Sequence, residues 1–397
     1  MIPQHARHGA LADAGRLRDV QQRDRRAPLL HDRPRAPLSA SISPARTENA
    51  TNIGSAAKSV LAALPTSPMT NGSAAIAILE LILSSGVSEL ASSVAHRSAS
   101  RVAIIGLGSM GMGIANALHR ADLDVVGFDV SAEARARFVE QGGRGAASAA
   151  DAAEGADIVV SVVVSGAQTE AMLFGAGGLA DVMKAGAVFV SSATMDPAVA
   201  RGLAARLEAR SVHYLDAPIS GGAARAAAGA LTVMASGSPE AFMRARPALD
   251  AMAAKVHELG DAAGLGASFK MINQLLAGIH IAAASEAIAL AAKLGLDLDK
   301  VYEVITASAG NSWMFENRIP HVLSGDYAPH SAVEIFVKDL GIVQDMARGT
   351  RYPAPLGAAA LQMYLAASGL GMGREDDASL ARVYALLSGA VLPTKES

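Results

Sequence analysis

A lysine stands near the start of a long apolar helical pattern in the second half of the chain. Lys270 is followed at helical spacing by two amides, Asn273 and Gln274, so the three side chains share one face. Most lysines are solvated surface charges, and that is the ordinary alternative here. A lysine desolvated in a cleft has a lowered pKa and can exchange a proton at neutral pH. Lys270 is therefore a candidate general acid or base.

A glycine-punctuated turn is the second candidate site, because it joins an apolar run beginning at Arg101 to a helical pattern. The glycines would permit the turn, let the backbone approach a pyrophosphate and let the helix pack on its strand. The N–H groups of the helix N-terminus would then face the phosphates. A bare match of this kind can also be a structural turn. The residues of the turn are Gly106, Leu107, Gly108, Ser109, Met110 and Gly111.

A carboxylate ends the next apolar run. Asp129 follows Asp124–Phe128 at about the 20-residue distance expected of the acid that binds the adenine ribose of a dinucleotide. A 2′-phosphate at that position would meet a like charge, which predicts NAD rather than NADP as the cofactor. We expect Arg135, one turn into the following helix, to be solvated.

Two later loops carry polar groups at predicted strand ends. Thr194 is placed to reach the cofactor's ribose or nicotinamide, although it or Asp196 can equally cap the helix that Pro197 opens; for Asp196 we favour the cap. The loop Ser220, Gly221 and Gly222 offers a hydroxyl and successive N–H groups that can cradle a carboxylate. An ordinary glycine turn is an equally weighted alternative.

The elements that must position these residues alternate between strand and helix from Arg101 onward, which predicts an α/β fold with a doubly wound parallel sheet. After Gly260 only helical patterns follow, beginning with a long helix from Ala267 to about Leu294. We predict a Rossmann-type NAD-binding domain at 101–263, an all-α C-terminal domain at 264–390 and a tail at 391–397. The strand candidates not yet named are 157–164, 187–191, 213–216, 231–235 and 255–259.

Residues 1–100 are rich in Arg, Ser and Ala and show no apolar core, so we predict a mostly disordered, dispensable extension with one helix near 74–92. The apolar segment 75–83 is too short to cross a bilayer. A net charge of -3 over 397 residues gives no reason to expect a nucleic acid as partner. The absence of cysteine excludes thiolate catalysis and suits a cytoplasmic protein.

Three segments in this order, 106–111, 216–222 and 264–273, resemble the β-hydroxyacid (3-hydroxyisobutyrate) dehydrogenase family, and the likeness covers about residues 101 to 390. The resemblance implies that Lys270 is the catalytic lysine and that Asn273 or Gln274 positions it or the substrate. It implies that Ser220, Gly221 and Gly222 bind the substrate carboxylate, and that Thr194 and Lys338 contact the dinucleotide. Sequence alone would instead pair Lys338 with Glu334 on an exposed helix face.

A finer likeness, carried by 190–197, 309–317 and 336–340, is to a branch of the family that oxidises a four-carbon sugar acid at C2. This implies NAD-dependent oxidation of a small hydroxy acid, with neutral Lys270 taking the hydroxyl proton and no metal required. A reductase of short oxo acids or semialdehydes would share every motif, and a non-catalytic nucleotide-bound module is the alternative of another class. Small residues from Ala282 to Ala291 suggest the subunit interface of a homo-oligomer, or equally packing within one subunit.

Overall fold

The apolar runs of the first half form a six-stranded parallel sheet in the computed structural model, which describes residues 100–395. The order is β3-β2-β1-β4-β5-β6, so the chain reverses direction across the sheet between β1 and β4. This is the order of dinucleotide-binding folds, in which ligands bind at that reversal. The strands are β1 (Arg101–Ile105), β2 (Asp124–Phe128), β3 (Arg144–Gly145), β4 (Ile158–Ser161), β5 (Val188–Ser191) and β6 (His213–Asp216).

Helices cover both faces of this sheet, which confirms the predicted doubly wound arrangement. One core includes Ile104 and Phe138, and the other, on the opposite face, stacks Phe189 on Tyr214. Alternate strand residues enter opposite cores, as the period of a strand requires. The helices are α1 (Ser109–Arg120), α2 (Ala132–Glu140), α3 (Ala149–Ala153), α4 (Gly166–Phe174) and α5 (Pro197–Glu208).

The predicted strand 157–164 ends earlier than expected, at Ser161. Beyond Val162 the backbone leaves the sheet, and the N–H of Val164 donates to the side-chain oxygen of Gln168 at 2.9 Å. Val164 is 49% exposed, so its apolar side chain is not part of the buried strand. The apolar run of the sequence therefore extends past the end of β4 into the loop that precedes α4.

The later strands form a second, three-stranded sheet rather than extending the first. Its order is β7-β8-β9, with β7 antiparallel and β9 parallel to β8. Only Ala217 and Pro218 separate β6 from β7, and a parallel crossover needs a dozen or more residues. The elements are β7 (Ile219–Ser220), α6 (Gly222–Ala227), β8 (Leu231–Ala235), α7 (Pro239–Met252) and β9 (Ala253–Glu258).

The rest of the described chain is helical, as predicted, and packs around the 29-residue helix α8. By length and composition α8 could span a membrane, but half of its most apolar stretch is buried, with Ile281 and Ile288 fully enclosed by neighbouring helices. The helices are α8 (Leu265–Lys293), α9 (Leu298–Thr306), α10 (Trp313–Ser324), α11 (Val333–Thr350), α12 (Pro355–Ala367) and α13 (Leu380–Ser388). The domain boundary at 263/264 stays a prediction, and the extension with its helix near 74–92 lies outside the described residues.

Candidate active site

The ends of four neighbouring strands stand in one row at the carboxyl edge of the large sheet. The register pairs Ile105 of β1 with Ser161 of β4, Ser161 with Ser191 of β5, and Ser191 with Asp216 of β6. The loops that follow these strands therefore emerge side by side, at the edge where open α/β sheets bind ligands.

The glycine loop 106–111 has the backbone that the sequence predicted. Gly106 has φ +99°, and a Cβ on Gly111 would lie 1.8 Å from the Gly106 carbonyl oxygen. A Cβ on Gly108, by contrast, would meet no atom of the described part of the chain within 4 Å, apart from its own chain neighbours. Among residues 100–395 no side chain caps α1, so the N–H groups of its first turn stay available to a ligand. Open space in front of an uncapped helix N-terminus fits a pyrophosphate.

Asp129 lies directly beside this loop. Its Oδ2 accepts the N–H of Leu107 at 2.6 Å, and its Oδ1 accepts the N–H of Ser131 at 2.8 Å. Arg135 is not simply solvated as we expected, because its Nη1 donates to the Asp129 carbonyl oxygen at 2.5 Å and its guanidinium lies over the Phe128 ring. The loop after β2 thus carries a carboxylate and a cation together.

Lys270 lies in the first turns of α8 and is only 7% exposed. Its Nζ donates to the carbonyl oxygen of Ile219 in β7 at 2.9 Å. Burial lowers the pKa of Lys270 to about 8; the Asp339 carboxylate opposes this shift and the Lys338 ammonium adds to it. A buried amine that is half neutral near pH 8 has the properties of a general base for a hydroxyl group.

The two amides next to Lys270 belong to a connected polar network. Gln274 is buried and donates from Nε2 to Asp339 Oδ2 at 2.6 Å, while Asn273 donates from Nδ2 to Gln274 Oε1 at 2.9 Å. Asp339 is fully buried in α11 and was missed in the sequence. The only signal for it is a carboxylate placed between the apolar residues Phe336 and Leu340, on the same helix as Lys338.

Lys338 extends the network toward the large sheet. Its Nζ lies 2.6 Å from Asp339 Oδ1 and donates to the Thr194 carbonyl oxygen at 3.0 Å. The pairing with Glu334 that sequence alone favoured is wrong, because Glu334 accepts a hydrogen bond from the Ser368 hydroxyl instead. The structure thus brings Thr194 and Lys338 together with the amides around Lys270.

The predicted substrate loop adjoins Lys270 through Ile219, the residue before Ser220. Gly221 and Gly222 have φ of +134° and +76°, a backbone that favours glycine. Asp196 accepts the N–H of Ala198 at 2.6 Å, so its interpretation as the cap of α5 is confirmed. The role of the Ser220–Gly222 loop in binding a carboxylate stays a prediction.

Comparison with known proteins shows which family the chain belongs to. Residues 101–260 match the family described as the NAD binding domain of 6-phosphogluconate dehydrogenase, and residues 264–384 match the family described as NAD-binding of NADP-dependent 3-hydroxyisobutyrate dehydrogenase. The L-threonate dehydrogenase of Cupriavidus necator is 51% identical over 74% of this chain and 98% of its own length. The chain belongs to the 3-hydroxyisobutyrate dehydrogenase family. It is an NAD-dependent hydroxyacid dehydrogenase with a nicotinamide dinucleotide cofactor.

Solved structures of family members have the same fold. A crystal structure of 3-hydroxyisobutyrate dehydrogenase from Salmonella typhimurium is 50% identical, with a TM-score of 0.69 over 72% of this chain and 99% of that one. The 3-hydroxyisobutyrate dehydrogenase of Mycobacterium tuberculosis, determined with L-serine, is 30% identical with a TM-score of 0.62 over 72% of this chain and 98% of that one. The family likeness therefore covers the sheet and the helical part together.

Proposed function

We propose that this dehydrogenase oxidises L-threonate to its 2-oxo acid, 2-dehydro-L-erythronate, with NAD as hydride acceptor and Lys270 as proton acceptor. The observation that carries the proposal is the buried Lys270 amine, whose pKa of about 8 keeps a neutral fraction available. The 51% identity to an L-threonate dehydrogenase supports the choice of a four-carbon sugar acid.

When bound, the nicotinamide supplies the acceptor for the hydride that leaves C2. Lys270 in its neutral form takes the proton of the C2 hydroxyl, and in the reverse direction its ammonium returns it. The Ile219 carbonyl oxygen holds the amine in place, while Asp339 fixes Gln274. We assign the substrate carboxylate to the N–H groups and hydroxyl of the Ser220–Gly222 loop.

The cofactor's two ends are assigned to different parts of the chain. We place the pyrophosphate at residues 106–111 and the nicotinamide side near Thr194 and Lys338, which are joined at 3.0 Å. Asp129 would accept hydrogen bonds from the adenine ribose and repel a 2′-phosphate, which favours NAD.

The experiment that tests this function is a nicotinamide absorbance assay with NAD and a panel of four-carbon sugar acids, 3-hydroxyisobutyrate, L-serine and short oxo acids. We expect the highest kcat/KM with L-threonate. Preference for 3-hydroxyisobutyrate would favour the alternative named by the two structural relatives. Turnover only of oxo acids or semialdehydes would make it a reductase. No turnover of any of these, despite dinucleotide binding, would favour the non-catalytic module.

We also propose that the enzyme is cytoplasmic and self-associates. Ala282, Ala284 and Ala291 are buried within one subunit and serve internal packing, whereas Ala283 and Ala287 of the same stretch are exposed. The support for self-association is an exposed apolar row on α8 formed by Leu265, Phe269, Ile272 and Leu276. Sedimentation equilibrium should show an oligomer that Leu276→Asp weakens; a monomer in the unsubstituted protein would contradict this.

A further inference from the structure

The N-terminus of α8 is capped by a carboxylate from the large sheet. Gly264, the residue before the helix, has φ +97° and offers no side chain of its own. Asp216, at the end of β6, is fully buried, and its Oδ2 accepts the N–H of Gly264 at 2.9 Å and of Ala267 at 2.8 Å. These residues lie 48 and 51 positions further along the chain.

Ser236 completes the cap. Its hydroxyl oxygen accepts the N–H of Gly266 at 2.9 Å and donates to Asp216 Oδ2 at 3.5 Å. Two buried side chains thus bind three backbone N–H groups that a helix N-terminus otherwise leaves unpaired. Burial raises the pKa of Asp216 to about 6, so the carboxylate is charged at neutral pH and is attracted by the positive end of the helix.

The helix end is also held by close packing on the sheet. A Cβ on Gly266 would lie 2.4 Å from the Met234 carbonyl oxygen and 2.7 Å from that of Asp216. The backbones therefore approach as closely as glycine allows. A helix fixed at this end cannot shift along the sheet without breaking the cap.

Lys270 lies about one turn after the capped residues, and its amine reaches back to the same short segment of chain. The acceptor of its Nζ is Ile219, three residues after Asp216. The segment 216–219 consequently holds both the start of α8 and the amine that α8 carries. Asp216 does not contact that amine; the charged groups that face Lys270 are Asp339 and Lys338, both from α11.

We propose that Asp216 is a positioning residue for the hydroxyacid dehydrogenase reaction: through its cap on α8 it keeps the Lys270 amine buried against the Ile219 carbonyl oxygen. This rests on the proposed role of Lys270. When the cap is weakened, α8 shifts, the amine gains solvent and its pKa rises toward the ordinary value of lysine.

Asp216→Asn tests the proposal, because it keeps the shape of the side chain and replaces the charged oxygen that accepts the two N–H groups by a neutral amide oxygen, which is a weaker acceptor at the positive end of a helix. A displacement of about 1 Å in a catalytic group lowers turnover by roughly 10²-fold, so we expect kcat to fall roughly 10- to 100-fold. The affinity for NAD should not change, and the pKa in the pH profile of kcat should move upward from about 8. Ser236→Ala should give a smaller change in the same direction.

The matched control is Asp297→Asn, which weakens an ordinary cap in the same way: Asp297 accepts the N–H of Lys300 at the start of α9. It should lower Tm and leave kcat and its pH profile unchanged. If Asp216→Asn likewise lowers only Tm and leaves kcat and its pH profile unchanged, the cap contributes stability alone and the proposal is overturned.

A second measurement gives the pKa of the Lys270 amine independently of enzyme activity. Competitive acetylation of Lys270 by trace acetic anhydride, followed by peptide mass spectrometry across pH, reports the pKa of its amine. A rise in Asp216→Asn or Ser236→Ala supports the proposal. If Asp216→Asn does not fold, an unchanged lysine pKa and kcat in Ser236→Ala would refute it. Full turnover in Lys270→Ala would instead refute the proposed function, and the labelling result would still show whether Asp216 positions the amine.

Discussion

The cofactor end and the lysine end of the site are built in different ways. The glycine loop is contiguous backbone, joined to Asp129 over a separation of 22 residues. The lysine end is made of side chains whose partners lie 51 residues away for Lys270, 65 for Gln274 and 144 for Lys338. The first end follows from local conformation, whereas the second exists only after α8 has packed on the strands and α11 has packed on α8.

Removing the amine tests the lysine end most strongly. Lys270→Ala should lower kcat by about 10²- to 10⁴-fold, because a positioned general base contributes that much. Dinucleotide binding, measured by calorimetry, should persist since the glycine loop is untouched. A variant that keeps nearly full turnover would remove Lys270 from the proposed role.

Substitutions at two glycines of the loop should have separate effects, one on the stability of the fold and the other on cofactor binding. In Gly111→Ala the new Cβ would lie 1.8 Å from a backbone oxygen, so the free energy of unfolding should fall by about 1–3 kcal/mol. In Gly108→Ala the Cβ contacts no other segment of residues 100–395 within 4 Å, so stability should hold while NAD affinity falls. Denaturant unfolding and NAD titration measure the two effects, and equal stability loss in both variants would contradict this division.

The pH dependence of kcat should follow the protonation state of Lys270. With a pKa of about 8, Lys270 is mostly protonated at lower pH. The kcat for oxidation should therefore rise about tenfold per pH unit below pH 8 and level off above it. In the reduction direction the ammonium is required, so kcat should fall as pH rises through 8. An oxidation rate that is flat from pH 6 to 9, with chemistry rate-limiting, would exclude Lys270 as the base.

The smallest expected effect is on the preference for NAD over NADP, which we assign to Asp129 at the adenine ribose. A like charge about 4 Å away costs roughly 1 kcal/mol when exposed, so Asp129→Ser should narrow the preference for NAD over NADP by about fivefold. The ratio of kcat/KM for the two cofactors measures it. Equal use of NADP by the unsubstituted enzyme would overturn the assignment of NAD.

The difference between the two ends also explains what the sequence could predict. The turn 106–111, Asp129 beside it and the cap formed by Asp196 are local patterns, and the structure has each of them. The carboxylates Asp216 and Asp339 were not predicted as site residues, since their partners are set by tertiary packing rather than spacing. The separate small sheet was missed for a similar reason: the strand patterns at 231–235 and 255–259 do not determine which strands pair with each other.

Arg135 has a consequence for engineering the enzyme. A variant meant to use NADP generally needs a negative charge removed and a positive one supplied near the ribose. Here the guanidinium already stands at the loop after β2, bonded to the Asp129 carbonyl oxygen and stacked on Phe128. Cofactor exchange in this scaffold would therefore start at position 129, with a guanidinium already beside that residue.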